Sequence, residues 1–85
     1  MASPQIEKWQ IYTKEGCGYC QKAKETLLMY ATKNPNVTVE IIKGVGNPEL
    51  IQKMKGNSYA YWPKIFLNNK FIGGFSDLEK RLSSK

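Results

Sequence analysis

The chain has 85 residues, of which 41% are hydrophobic and 24% are charged, and its formal net charge is +6 at pH 7. This composition excludes disordered and collagen-like chains, and the length predicts a single small domain over residues 1–85. No apolar run approaches the roughly 18 residues needed to span a bilayer, and the first residues lack the apolar stretch of a signal peptide. We therefore expect a cytoplasmic protein with no membrane partner.

The positive charge is spread along the chain. Thirteen basic and seven acidic side chains are present, and the lysines form only short pairs such as Lys53 and Lys55. This pattern differs from the basic stripe that follows a phosphate backbone, so we expect no nucleic-acid partner. The alternative interpretation takes Tyr59, Tyr61 and Trp62 as a stacking platform for single-stranded nucleic acid.

The first half of the chain predicts a strand, a helix and a second strand. Residues 8–13 alternate, with Trp9 and Ile11 on one face and Tyr12 on the other. Residues 18–33 carry apolar and small side chains at three- and four-residue spacing, as on the buried face of an amphipathic helix. The β-formers of residues 37–43 predict the second strand.

The second half predicts a short helix, a hairpin and a last helix. The short helix begins at Asn47-Pro48 and ends at Gly56, and an aromatic loop follows it at 59–63. The hairpin strands cover 64–67 and 70–72, on either side of a two-residue Asn-Asn turn.

A capping box from Ser76 to Glu79 is predicted to open the last helix. The element order is then βαβαββα. This order predicts an α/β protein with a four-stranded mixed sheet flanked by helices, as in the smallest thioredoxin-like folds.

The two cysteines form a Cys-x-x-Cys pair where the first strand leads into the first helix. Free N–H groups and the dipole at a helix N-terminus favour an anion, so we expect Cys17 to be the thiolate, with Lys14 as a nearby cation. Cys20 lies one turn further on, on the inward face, and is predicted to be the resolving thiol.

Two other interpretations of the pair are less favoured. A zinc site within one chain needs about four ligands, and the sequence has no histidine and no third cysteine. Two inert core cysteines would not explain the strand-Cys-x-x-Cys-helix arrangement, which is typical of thioredoxin-like redox proteins. We therefore predict catalytic cysteines and no protein metal site.

The chain resembles the dithiol glutaredoxins. Three separated segments carry the resemblance over almost the whole chain: Thr-Lys-x-x-Cys-x-Tyr-Cys at 13–20, the proline at 63 before the hairpin, and Gly-Gly-x-Ser-Asp-Leu at 73–78. The resemblance implies a glutathione-dependent oxidoreductase that reduces protein disulfides and glutathione mixed disulfides through Cys17 and Cys20. Glutathione is then a co-substrate and not a tightly bound cofactor, and the partners are glutathionylated or disulfide-containing proteins.

The resemblance also implies the glutathione-binding residues. Lys14 faces a carboxylate of glutathione, and the backbone of Trp62 pairs with the tripeptide beside a cis Pro63. The turn with Gly74 receives the γ-glutamyl end through the Ser76 N–H and the Asp77 side chain. Two further residues complete the predicted set, namely Tyr19 and Gln52.

Three departures from the family pattern qualify these assignments. Gly18 stands where proline is commonest, and related dithiol members with glycine or serine there bind a [2Fe-2S] cluster between two subunits. This is the alternative function, with Cys17 as the cluster ligand; otherwise we expect a monomer. The second departure is the approach to Pro63, which is bulkier than usual because it includes Trp62. The third is the polar residue of the second helix that contacts glutathione in the family; the changed spacing before Pro63 makes Gln52 only its nearest candidate.

Overall fold

The computed structural model describes residues 5–83. The elements are β1 (Glu7–Thr13), α1 (Gly18–Lys33), β2 (Val37–Lys43), α2 (Pro48–Lys53), β3 (Lys64–Leu67), β4 (Lys70–Gly73) and α3 (Phe75–Ser83). The order βαβαββα is as predicted, whereas the predicted domain limits at residues 1 and 85 lie outside the described residues. No helix within residues 5–83 is long and apolar enough to cross a membrane.

β1 lies inside the sheet, whose strand order is β2-β1-β3-β4. It pairs in parallel with β2 and antiparallel with β3, and β3 and β4 form the predicted hairpin. The hairpin turns through Asn68 and Asn69, with φ of 49° and 68°, a left-handed conformation that asparagine tolerates better than most residues. The sheet is therefore mixed and four-stranded, which confirms the predicted fold class.

Both faces of β1 are buried, because helices cover both sides of the sheet. Trp9 and Ile11 lie in one core cluster with residues of α1 and α3, namely Ala23, Leu27 and Leu78. Tyr12 lies in the other cluster with Leu50 of α2 and Phe66 of β3. This confirms the predicted alternation in β1 and fixes α1 against the same face as α3.

The second helix is shorter than predicted. It ends at Lys53, and the Met54 N–H donates to the carbonyl of Leu50. Gly56, the predicted end, lies in the turn that follows, with a φ of 80°.

The predicted capping box of α3 is wrong by two residues. The helix begins at Phe75, and the Gly74 N–H donates to Oδ2 of Asp77 at 3.1 Å. A capping box has two hydrogen bonds, and here only the one from the N-cap N–H to the carboxylate three residues later is formed. This bond needs no side chain at the N-cap, so glycine can occupy that position. Ser76 instead lies exposed inside the first turn.

Candidate active site

Four chain segments meet at one edge of the sheet. Thr13 ends β1 opposite Lys43, the last residue of β2. Lys64, the first residue of β3, pairs with Tyr12, and Gly73 ends β4 opposite Ile65. The cysteine loop, the loop before β3 and the start of α3 therefore lie at the same edge, where ligand sites of open α/β sheets are commonly found.

The cysteines begin α1. Cys17 is the N-cap residue, and the Cys20 N–H donates to its sulfur at 3.1 Å. Both are free thiols; Cys17 is partly exposed and Cys20 is 4% exposed. The first turn of α1 contains no carboxylate, so the helix terminus favours negative charge on Cys17.

The Cys20 thiol is held protonated. Burial raises the pKa of Cys20 to about 11, and a hydrogen bond with Cys17 and the negative charge of Cys17 act in the same direction. A hydrogen bond with the Lys14 backbone and the charge of Lys14 oppose this rise in pKa. Cys20 is therefore the less readily ionised position for a thiol, which suits a resolving role.

Lys14 lines the cavity that contains both cysteines. This cavity has a volume of about 230 Å³ and also includes Gln21 and Lys24. A second cavity of about 460 Å³ shares the segment 13–15 with it and adds Lys43. Three lysines and one carboxylate, that of Glu15, thus line these two cavities, and the net positive charge suits an anionic substrate group.

A larger cavity, which we call the aromatic groove, joins α1, α3 and the loop before β3. Its volume is about 570 Å³, and its lining residues are Tyr19, Tyr59, Tyr61, Trp62, Phe75, Ser76, Asp77 and Glu79. Four of the predicted glutathione-binding residues therefore line one cavity: Tyr19, Trp62, Ser76 and Asp77. The rings of Tyr19 and Phe75 lie 6.0 Å apart and connect α1 with α3.

The peptide bond between Trp62 and Pro63 is cis, as predicted. Pro63 is buried, and the indole of Trp62 lies against Gly44, the residue after β2. A Cβ atom on Gly44 would approach Cη2 of Trp62 to 2.8 Å, so the close fit requires glycine there.

Tyr59 belongs to the site through its hydroxyl, a contact that the sequence did not predict. Its hydroxyl lies so close over Gly74 that a Cβ atom there would overlap it. Burial raises the pKa of Tyr59, and the charges of Asp77 and then Tyr61 add to the effect. The aromatic run at 59–62 was the available signal, but sequence alone does not show which way the rings turn.

Gln52 lies exposed on α2, and no residue of that helix is among the residues that line the three described cavities. Its contact with glutathione stays a prediction. Within residues 5–83, no group of three or more histidine, cysteine, aspartate or glutamate side chains is arranged to hold a metal ion.

A dithiol at the start of the helix after β1, in a four-stranded mixed sheet with a cis proline before β3, defines a protein of the thioredoxin-like class. The glutaredoxin family model matches residues 10–72. The chain is 34% identical to glutaredoxin-2 of Schizosaccharomyces pombe over 76 residues, which cover 87% of this chain and 66% of that protein. It is also 34% identical to glutaredoxin 3 of Escherichia coli over 70 residues, which cover 81% of this chain and 78% of that protein.

The structure of reduced Escherichia coli glutaredoxin has the same fold. It superposes with a TM-score of 0.76 at 22% identity, over 92% of this chain and 95% of that one. The chain therefore belongs to the glutaredoxin family. Membership of this family supports thiol–disulfide oxidoreductase chemistry.

Proposed function

We propose that the protein is a glutathione-dependent oxidoreductase that reduces glutathione mixed disulfides and protein disulfides. The observation that carries the proposal is the placement of Cys17. Cys17 is partly exposed, its sulfur accepts a backbone N–H at the start of α1, and the residue lines a cavity together with Lys14 and Cys20.

The first step forms a disulfide between Cys17 and glutathione. The Cys17 thiolate attacks the glutathione sulfur of a mixed disulfide, the original sulfur–sulfur bond breaks, and the substrate protein leaves as a thiol after taking up a proton. A second glutathione thiolate then attacks the glutathione sulfur bound to Cys17. The two glutathione molecules leave as their disulfide, and the two electrons have passed to the substrate.

Cys20 offers the other route for the second step. Two of the effects that raise its pKa come from Cys17, namely the hydrogen bond and the negative charge. Both effects weaken once Cys17 is part of a mixed disulfide, whereas the opposing effects of Lys14 remain. Cys20 thus becomes easier to ionise after the first step, when its attack on the Cys17 sulfur is needed.

The glutathione site is proposed to extend from Lys14 to the start of α3. Lys14 would bind a carboxylate, and the backbone of Trp62 would pair with the tripeptide beside Pro63. At the other end, the free N–H of Ser76 and the carboxylate of Asp77 suit an α-carboxylate and an α-ammonium group together.

Turnover with glutathione, NADPH, glutathione reductase and a glutathionylated peptide tests the proposal. Cys17→Ser should abolish turnover, because no other accessible thiol is present in residues 5–83. Cys20→Ser should retain much of it, because glutathione can complete the second step. Equal loss in both variants would contradict these roles, and wild-type turnover without glutathione would contradict glutathione dependence.

A cluster-binding dimer is the second candidate, and the open space at Gly18 favours it. A Cβ atom on Gly18 would meet nothing within 4 Å, so the first residue of α1 leaves open space beside Cys17. Cys17 would supply the protein ligand, with glutathione as co-ligand. Anaerobic reconstitution with iron, sulfide and glutathione should give a coloured dimer, and a colourless monomer would contradict this role.

The cytoplasmic location and the monomeric state of the cluster-free protein stay predictions.

A further inference from the structure

Lys64 is a buried lysine in a position that the proposed reaction does not use. It follows Pro63 directly, and only 8% of its surface is exposed. Its ammonium donates to the carbonyl oxygens of Tyr59 at 2.8 Å and Tyr61 at 3.1 Å. Burial lowers the pKa of Lys64. Burying a lysine is costly unless its ammonium is hydrogen-bonded, so these two carbonyl oxygens are what make the position tolerable.

The ammonium also contacts the aromatic rings of the same segment. It lies 4.7 Å from the ring centre of Trp62 and 5.4 Å from that of Tyr59, within the range of cation–π interactions. One side chain therefore binds two carbonyls and two rings between residues 59 and 62. These contacts matter because residues 57–63 belong to no helix or strand, so no backbone ladder fixes them.

The segment that Lys64 holds is one wall of the aromatic groove. Tyr59, Tyr61 and Trp62 all line the groove, whereas Lys64 is not among its lining residues. The ammonium thus acts from behind the wall. Its direct contacts are with this segment and not with the surface of the groove.

Trp62 is fixed from a second side by Gly44. The Gly44 N–H donates to the carbonyl of Thr13 at 2.8 Å, which ties this glycine to the residue before Lys14. The indole of Trp62 therefore contacts both the residue after β2 and the Lys64 ammonium.

We propose that Lys64 is a positioning residue, whose ammonium holds residues 59–62 in the shape that seats the disulfide substrate in the aromatic groove. Lys64 acts without contacting either sulfur. The inference rests on the proposed oxidoreductase function, because its test needs a substrate that turns over.

The test compares Lys64→Met, Lys64→Arg and Lys70→Met with the wild type, using a glutathionylated peptide. Methionine keeps an unbranched apolar chain but has no N–H donor. We expect Lys64→Met to raise KM for the peptide about tenfold, equivalent to about 1.4 kcal/mol, with kcat changed less than about twofold. Lys64→Arg should restore most of the affinity, because it keeps the charge and the donors. Lys70 is exposed on β4, so Lys70→Met is the matched control and should behave as wild type.

Tryptophan fluorescence reports on the position of residues 59–62, because the exposure of Trp62 depends on it. The chain has two tryptophans, and Trp9 is 0% exposed, so quenching by acrylamide reports mainly on Trp62. Lys64→Met should increase the quenching constant about twofold while the rate of Cys17 alkylation by iodoacetamide stays unchanged. Gly44→Ala displaces the same indole by a different contact, and it should reproduce both the KM and the quenching changes even if Lys64→Met fails to fold.

Unchanged KM and quenching in Lys64→Met would overturn the inference. It would also be overturned if kcat and the alkylation rate fell together with KM unaltered, since Lys64 would then act on the cysteines. If Lys64→Met does not fold, an unchanged KM in Gly44→Ala overturns it instead. If the wild type shows no turnover, the proposed oxidoreductase function is contradicted. If the wild type turns over and the variants have the same KM and quenching, only the role of Lys64 is contradicted.

Discussion

The buried Cys20 thiol should make the stability of the reduced protein depend on pH in the alkaline range. The pKa of Cys20 is about 11 in the folded protein, against an ordinary value of 9.0. Between these values the unfolded chain has lost the Cys20 proton while the folded protein retains it. The unfolded state then binds fewer protons, so the free energy of unfolding falls as pH rises.

The magnitude follows from the size of the shift. Each unit of pKa difference corresponds to about 1.4 kcal/mol, so a shift of about two units contributes about 3 kcal/mol. This contribution is fully present below pH 9, falls through the window and is lost above about pH 11. Between pH 9 and 10.5, about half of this contribution should be lost.

Urea denaturation of the reduced protein, with and without Cys20, measures this effect. The free energy of unfolding is determined for the wild type and Cys20→Ala at pH values from 8 to 10.5. Other groups, such as Tyr59 and Lys64, titrate in both proteins, so their contributions largely cancel in the difference. The stability advantage of the wild type over Cys20→Ala should shrink by about 2 kcal/mol across this range.

Cys17→Ser is the informative control for the cause of the shift. It removes the charge and the hydrogen-bonding thiolate that help to raise the pKa of Cys20, and it leaves burial in place. A smaller pH-dependent loss is expected in this background. If the difference between wild type and Cys20→Ala stays constant within about 0.5 kcal/mol, the assignment of a raised Cys20 pKa is refuted.

Two further predictions concern the start of α3. Asp77→Asn keeps an acceptor for the Gly74 N–H but removes the charge, so it should lower the free energy of unfolding in urea by about 0.3–1 kcal/mol. It should also raise KM for glutathione, and an unchanged KM would remove Asp77 from the proposed site. Tyr59→Phe should remove one late-ionising phenol from the alkaline absorbance titration, because burial and Asp77 raise the pKa of Tyr59. In Asp77→Asn the same phenol should ionise at lower pH than in the wild type, and no such shift would show that Asp77 does not act on Tyr59.

The sequence predicted those features that depend on local pattern. The bounds of α1, the two faces of β1 and the Asn68-Asn69 turn follow from periodicity and turn chemistry, and the structure confirms them. The cap of α3 was misplaced because it depends on where pairing with β3 ends. β4 continues to Gly73, so Gly74 becomes the cap residue.

The site was predicted less completely than the fold, for a related reason. Sequence placed Cys17 and Cys20 at a helix start, because the strand and helix patterns adjoin there. The roles of Tyr59 and Lys64 depend on contacts between a loop and the sheet end, which no periodicity encodes. Gln52 was assigned by family position alone, and its helix lies apart from the described cavities.

The reacting sulfurs and the aromatic wall belong to different connections of the sheet. Cys17 and Cys20 lie after β1, whereas the wall precedes β3 and is held by the first residue of that strand. If the aromatic groove seats the substrate as proposed, side-chain changes at Tyr59 and Tyr61 would alter which partners are accepted and leave the cysteine pair unchanged, since loops vary more readily than the elements that support them.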